Sequence, residues 1–142
     1  MADLNPLIRV RKHAIEQKQK FLAELFRQAD ELANGKESLL TQMADEKRRA
    51  FDMGPEMLAF FGHYAEAVKT RVDEIDESLA RLEIRIEAAQ DDIREAYADL
   101  KQIEIIQERR DEEAADLILK KENDMLDEIG IDGFRRRAEE DE

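Results

Sequence analysis

Cysteine is absent from this chain and flexible residues are scarce, with five glycines and two prolines in 142 residues. Without cysteine the chain can form neither disulfides nor a thiolate metal site, which is compatible with a reducing cytoplasm. Few glycines and prolines, combined with a charged fraction of 42%, are typical of long helices joined by few loops. Such helices bury a seam rather than a globular core that could hold a substrate pocket.

Long apolar runs and catalytic motifs are missing as well. No stretch approaches the roughly eighteen apolar residues of a membrane span, and the start MADLNPLIRVRKH lacks the apolar segment of a secretion signal. No phosphate-binding glycine loop or nucleophile elbow occurs, and the two histidines, His13 and His63, are far apart. We expect a cytoplasmic protein that is not an enzyme, uses no cofactor or metal, and does not insert into the membrane.

Charge is unevenly distributed along the chain. The net charge is −13, yet bases outnumber acids in residues 1–22, and the basic run at residues 135–137 is followed at once by carboxylates. Nucleic acid is not an expected partner, because phosphate binding needs a basic face. Most of these charges are typical of solvated helix faces; the alternative is that arginines bind carboxylates on a protein partner.

An apolar seam with heptad spacing runs through residues 58–103. Every a and d position is apolar over about seven heptads, in steps that alternate between three and four residues. The seam consists of Leu58, Phe61, Ala65, Val68, Val72, Ile75, Leu79, Leu82, Ile86, Ala89, Ile93, Ala96, Leu100 and Ile103. A helix cannot bury such a stripe against itself, so this segment requires a partner helix.

A weaker seam upstream supplies that partner. Its apolar members are Leu4, Ile8, Ile15, Leu22, Leu25, Ala29, Leu32, Leu39, Met43 and Ala50. Four charged residues occupy core positions of the same register: Arg11, Lys18, Lys36 and Glu46. Gly35 lies inside the run and is interpreted as a tolerated weak point that costs about 1 kcal/mol relative to alanine.

Gly54 and Pro55 separate the two runs. Proline lacks an N–H and is accepted in a first helical turn, so the chain turns back here and a second helix begins. We predict an all-α fold, a two-helix antiparallel coiled-coil hairpin in which the second helix overhangs the first. The predicted boundaries within a single domain, 1–142, are helix 1 at about 5–51 with Asn5 as N-cap, a turn at 52–56, helix 2 at about 56–128 and a tail at 129–142.

The overhang follows from counting back from the turn. Ile8 falls beside Leu100, and helix 1 runs out near Ile103, where the strict seam also stops. Residues 104–128 keep helix-forming residues and apolar clusters, but not the earlier register. An exposed apolar surface of this kind suggests binding to another protein. The alternatives are that the overhang is frayed or that it pairs with a copy of itself.

Beside the seam near the turn lie Met57, Phe60 and Tyr64, one helical turn apart. Methionine and aromatic residues are common at docking sites. An equally weighted alternative is that these side chains cap the end of the core against Phe51 and Met53.

The chain combines a basic amphipathic start at residues 4–12, the sequence MGPEMLAFFGHY at residues 53–64, and a long second helix. Its overhang carries a spaced charged pattern that leads to acidic residues near 127. The residues of that pattern are Lys101, Glu104, Glu108, Arg109 and Arg110. With these features the whole chain resembles the FliJ family, small cytoplasmic proteins of the bacterial flagellar export apparatus.

The resemblance implies a coiled coil similar to the central γ stalk of rotary ATP synthases. Such a protein sits in the pore of the export ATPase hexamer, promotes its assembly and hydrolysis, and contacts the export gate membrane protein from the cytoplasmic side. A location peripheral to the inner-membrane export apparatus and an escort role with export chaperones are also implied. The ATPase-binding residues would be Arg9, Arg11, Lys12, Arg109, Arg110, Leu117 and Ile118. The gate-binding residues would be Met57, Phe60, His63 and Tyr64.

Two alternatives stay open at this point. The equivalent stalk protein of a virulence type III secretion system has the same shape and task. A free-standing coiled-coil chaperone or scaffold would instead pair through the apolar overhang and have no ATPase partner.

Overall fold

Two helices make up the part of the chain that the computed structural model describes, residues 3–140. Helix α1 spans Asn5–Met53 and helix α2 spans Pro55–Glu140, and these described residues include no strand. The helices pack against each other, which confirms the predicted all-α helical hairpin. Their contacts divide the described chain into two compact units, one of residues 13–97 and one of residues 3–12 with 98–140.

The turn in the unit of residues 13–97 depends on a single glycine. Gly54 has φ +109°, a conformation that is strained for residues with a Cβ. Its N–H donates to the carbonyl of Ala50 at 3.3 Å, and its carbonyl accepts from the N–H of Leu58 at 3.3 Å. The backbone groups at the junction are therefore used, and one residue is enough to separate α1 from α2.

The predicted seam is the core of both units. Every seam residue of α2 between positions 58 and 103 is buried or half-buried. The most deeply buried side chains in the unit of residues 13–97 are Leu25, Ile75, Ile15 and Val68. Each fully buried side chain of this size stabilises the fold by about 1.5–3 kcal/mol relative to its exposed state.

Two of the four charged residues at core positions form ion pairs between the helices. Lys18 Nζ lies 2.6 Å from Asp92 Oδ2, and Lys36 Nζ lies 2.7 Å from Asp76 Oδ1. Both lysines are half-buried, because their aliphatic stems cover the seam while the ammonium groups stay near water. As the residue number rises along α1 it falls along α2, so these pairs show that the helices are antiparallel. Each contributes about 0–1 kcal/mol.

In the other unit, pairing continues past the predicted end of the seam. Leu100 is buried and Ile8 is half-buried, and Gln107 is only 8% exposed. The Gln107 side chain accepts from the N–H of Leu4 at 2.9 Å and donates to Asp111 Oδ1 at 2.8 Å. The helices thus stay paired as far as Gln107 rather than Ile103, because an amide with both groups bonded can be buried at low cost.

The start of α1 differs from the prediction that Asn5 is the N-cap. The carboxylate of Asp3 accepts from the backbone N–H of Asn5 at 3.0 Å and from its side-chain amide at 2.7 Å. The carbonyl of Leu4 accepts the first helical bond, from Ile8, at 2.9 Å. Leu4 therefore occupies the N-cap position, and the Asp3 carboxylate just before it accepts from Asn5, where a negative charge is favourable beside the helix amino terminus.

The predicted tail at residues 129–142 is also wrong for its described part, since α2 continues to Glu140. Residues 141 and 142 lie outside the described residues. Gly130 and Gly133 each weaken a helix by about 1 kcal/mol, but they do not forbid it, and no proline follows them. Arg137 in the last turn complements the helix dipole. We call residues 111–140 of α2 the arm.

Candidate functional site

The residues next to the turn form an open apolar groove, which we call the turn groove. It has a volume of about 570 Å³. Its lining residues are Glu46, Arg49, Ala50, Met53, Met57, Phe60, Phe61 and Tyr64. Both helices contribute to the groove because Gly54 brings the last turn of α1 against the first turns of α2.

Exposure within the turn groove varies from one side chain to the next. Phe60 is 70% exposed and Met53 is 67% exposed, whereas Tyr64 is half-buried. The ring centroids of Tyr64 and Phe61 are 6.2 Å apart with an interplanar angle of 50°, which is a tilted aromatic contact. Phe51 is 64% exposed. Neither Phe51 nor Met53 therefore seals the end of the core, and the groove stays open to solvent.

Three of the four residues predicted to bind the gate meet in the turn groove. Met57, Phe60 and Tyr64 lie on one side of α2 and line it together. His63 is exposed and does not line the groove. A ligand seated there would contact a methionine and aromatic surface together with Glu46 and Arg49.

The seven residues predicted to bind the ATPase all belong to the unit of residues 3–12 and 98–140. Arg9, Arg11 and Lys12 are exposed on the first turns of α1, and Arg109 is exposed on α2. The hydrogen bond between Leu4 and Gln107 aligns the two helices here. Arg9 and Arg109 lie on opposite sides of that contact, about 10 Å apart along the helix axis at 1.5 Å per residue.

The remaining three residues extend this surface along α2. Arg110 is half-buried, at the core position that follows Gln107, while Leu117 and Ile118 are 55% and 58% exposed. Ile118 lies about 14 Å along the axis from Arg109. The seven residues are therefore spread along the helix axis rather than gathered in a compact cluster or a pocket, and we call this set the basic and apolar strip.

Gln107 is a structurally important residue whose role the sequence pattern does not reveal. It follows Leu100 by one heptad at a core position, but its polar side chain ends the strict apolar seam. The available signal was a single amide side chain at a core position opposite the predicted start of helix 1. An amide can satisfy the orphan N–H groups that a helix start leaves.

Within residues 3–140 no group of three or more histidine, cysteine, aspartate or glutamate side chains is arranged to hold a metal ion. Neither helix contains, in its described part, a stretch apolar enough to cross a membrane.

The family model described as "Flagellar FliJ protein" matches residues 1–139 of the 142-residue chain. No curated protein and no solved structure matches the chain. The family match covers nearly the whole sequence, and the paired heptad seam supplies the coiled coil. The chain therefore belongs to the FliJ family and is a coiled-coil protein associated with flagellar export.

Proposed function

We propose that this protein is a stalk-like component of the flagellar export apparatus that binds and stimulates the export ATPase hexamer and contacts the export gate. The observation that carries the proposal is the arm. Helix α2 continues for more than thirty residues past Gln107, and every residue at positions 111–132 is exposed. A long helix with an uncovered surface, in a chain of this family, is suited to entering a narrow ring of subunits.

The ATPase contact is assigned to the basic and apolar strip. Arg9, Arg11, Lys12 and Arg109 supply exposed positive charge within a strongly acidic protein. Charges at the rim of an interface steer association and set its orientation, and the exposed Leu117 and Ile118 supply apolar contact. Arg110 completes the strip.

The gate contact is assigned to the turn groove. Phe60 supplies the largest exposed aromatic surface there, and Met57 and Tyr64 flank it. Aromatic residues carry much of the binding free energy at protein interfaces. His63 is included in the proposed gate contact as an exposed residue near the groove that does not line it. The protein would then act on the cytoplasmic side of the inner membrane, peripheral to the export apparatus, and an escort role with export chaperones is compatible with this placement.

The flagellar family match favours the flagellar system over a virulence secretion system. A free-standing scaffold is distinguished from a stalk by the ATPase itself, because only the stalk changes the hydrolysis rate.

The test is charge reversal on the strip. In the double variant Arg9→Glu with Arg109→Glu, stimulation of the cognate export ATPase should be abolished, while the thermal melting curve followed by circular dichroism stays unchanged, because exposed charges contribute little to stability. The matched control, Arg71→Glu with Arg81→Glu, reverses two exposed arginines in the unit of residues 13–97 and should stimulate normally. Full stimulation by the strip variant would remove Arg9 and Arg109 from the ATPase contact.

A further inference from the structure

The arm presents an apolar stripe that α1 does not cover. Ala115, Ile118, Met125 and Ile129 recur with alternating steps of three and four residues, interrupted by Glu122. The three larger side chains are 58%, 63% and 64% exposed in that order. Helices of this kind are stabilised in water mainly by packing of an amphipathic face. The pattern of the arm therefore predicts packing against a partner helix, and α1 does not supply one.

The order of charges along the arm shows which partner fits. Its clusters of like charge are acidic residues 111–113, basic residues 120–121, acidic residues 127–128 and basic residues 135–137, with further acidic residues at 116, 122, 124, 132 and 139–140. Two identical arms in antiparallel orientation would place each acidic segment opposite a basic segment of the other copy. Parallel arms would place every segment opposite itself, with like charges facing, which is destabilising. The charge order is thus self-complementary in one orientation only.

We propose that the arm forms an antiparallel coiled coil with the arm of a second copy of this chain. Pairing Ile118 with Ile129 of the second copy makes two apolar layers, and beyond each of them Ala115 faces Asp132. In the same register Met125 meets Glu122 of the second copy in two central layers. A polar residue at a core position specifies register at a cost in stability.

The flanking positions agree with this register. Leu119 lies beside Leu126 of the second copy, which widens the apolar contact on one flank. On the other flank Lys121 lies beside Glu128 of the second copy, an opposite-charge pair. The apolar layers and the charge pairs involve different positions of the sequence, and a single register satisfies both.

Other occupants fit the arm less well. Acidic residues outnumber basic ones along it, and Glu122 lies within the stripe while Glu128 borders it. An anionic lipid surface or a nucleic acid would be repelled by them. Pairing also covers Ile118, so the dimer and the ATPase-bound form would exclude each other. The pairing concerns the purified protein alone and does not rest on the proposed ATPase contact.

Disulfide trapping tests the pairing on a chain that has no cysteine of its own. The variants Ile118→Cys and Ile129→Cys are oxidised separately and as a mixture. The mixture should give a disulfide-linked dimer, and each variant alone should stay monomeric on a denaturing gel. Two copies of position 118 in the antiparallel register are about 16 Å apart along the axis, too far for a disulfide. Disulfide-linked dimers in the separate samples would show parallel pairing and overturn the proposal.

Sedimentation equilibrium gives an independent measurement. Ile118→Glu places a charge in the apolar layer and should weaken self-association by about tenfold or more. The control Ile84→Glu alters an isoleucine that is 69% exposed in the unit of residues 13–97, and self-association should be unchanged. Lys121→Glu should also weaken association, and adding Glu128→Lys should restore it. A monomer at every concentration would overturn the proposal.

Discussion

Gln107 accepts a hydrogen bond at 2.9 Å from the backbone N–H of Leu4, a residue 103 positions away in the sequence. A helix start leaves four N–H groups without helical partners, and here one of them is satisfied by the opposite helix. The other end of the Gln107 amide donates to Asp111 at 2.8 Å. This contact fixes where α1 begins against α2 and hence where the uncovered arm begins.

Replacing Gln107 by alanine should loosen the start of α1. The loss of one hydrogen bond should lower the free energy of unfolding by about 0.5–1.5 kcal/mol. Amide hydrogen exchange followed by NMR should show faster exchange at Leu4. The control Gln102→Ala removes an exposed glutamine from the same helix and should leave that exchange rate unchanged. Equal protection of Leu4 in both variants would mean that Gln107 does not hold the helix start.

Glycine substitutions should have opposite effects at two positions. Gly54→Ala places a Cβ on a residue with φ +109°, which should destabilise the protein by about 1–3 kcal/mol. Gly35 lies inside α1, and apart from the backbone of its own helix nothing lies within 4 Å of where an alanine Cβ would be placed. Gly35→Ala should therefore stabilise the protein by about 0.5–1 kcal/mol. Urea unfolding measures both, and a Gly54→Ala variant as stable as the unmodified protein would show that the turn does not need glycine.

The heptad seam could be predicted from sequence because it depends on local periodicity alone. Every residue assigned to the α2 seam is buried or half-buried, and the turn at Gly54 follows from helix-breaking chemistry. The heptad pattern places Lys18 and Lys36 at core positions. It does not show which of the many carboxylates pair with them, because Asp92 and Asp76 are selected by the register between the two helices.

The remaining errors arise where the free-energy difference between two local structures is small, or where a contact between the two helices decides the outcome. Asp3 and Asn5 are both good capping residues, yet the first helical bond places the N-cap at Leu4 between them. Gly130 and Gly133 cost too little to end α2 at residue 128. The turn groove needs both helices, so the sequence could name Met57, Phe60 and Tyr64 without showing that Met53 joins them and that His63 does not.

Acid should weaken a local contact on α1. Two hydrogen bonds from Arg27, at 2.9 and 2.7 Å, hold the Glu24 carboxylate. They are the main cause that lowers the pKa of Glu24 from 4.5 to about 2, and a hydrogen bond from Gln28 adds to it. Because the folded-state pKa is depressed, the stabilisation is fully present above pH 4.5. It is lost as the pH falls through about 2.

An NMR titration of the Glu24 side-chain carboxyl checks this assignment. The unmodified protein should titrate with a midpoint far below 4.5, and Arg27→Gln should move the midpoint back towards 4.5. The control Arg71→Gln removes an arginine that pairs with Glu74 elsewhere, and it should leave the Glu24 midpoint in place. A midpoint near 4.5 in the unmodified protein would show that the Arg27 contact does not persist in solution.

Truncation of Phe60 should separate binding from stability at the turn groove. Phe60 is 70% exposed, so Phe60→Ala should change the free energy of unfolding by less than about 0.5 kcal/mol. Leu82 is 7% exposed, and Leu82→Ala should cost about 2–5 kcal/mol. If the groove binds the export gate, Phe60→Ala should weaken that binding by at least about 2 kcal/mol, as expected for an aromatic hot spot.

Phe51 provides the matched control for this experiment, because it is 64% exposed beside the same turn but does not line the groove. Phe51→Ala should leave gate binding unchanged in a calorimetric titration. It removes a similarly exposed phenylalanine ring but no residue of the turn groove. Tyr64 is unsuitable as the first variant, because its contact with Phe61 links binding to packing. If Phe60→Ala lowers the melting temperature as much as Leu82→Ala while gate binding persists, then Phe60 is a core residue and the docking assignment is wrong.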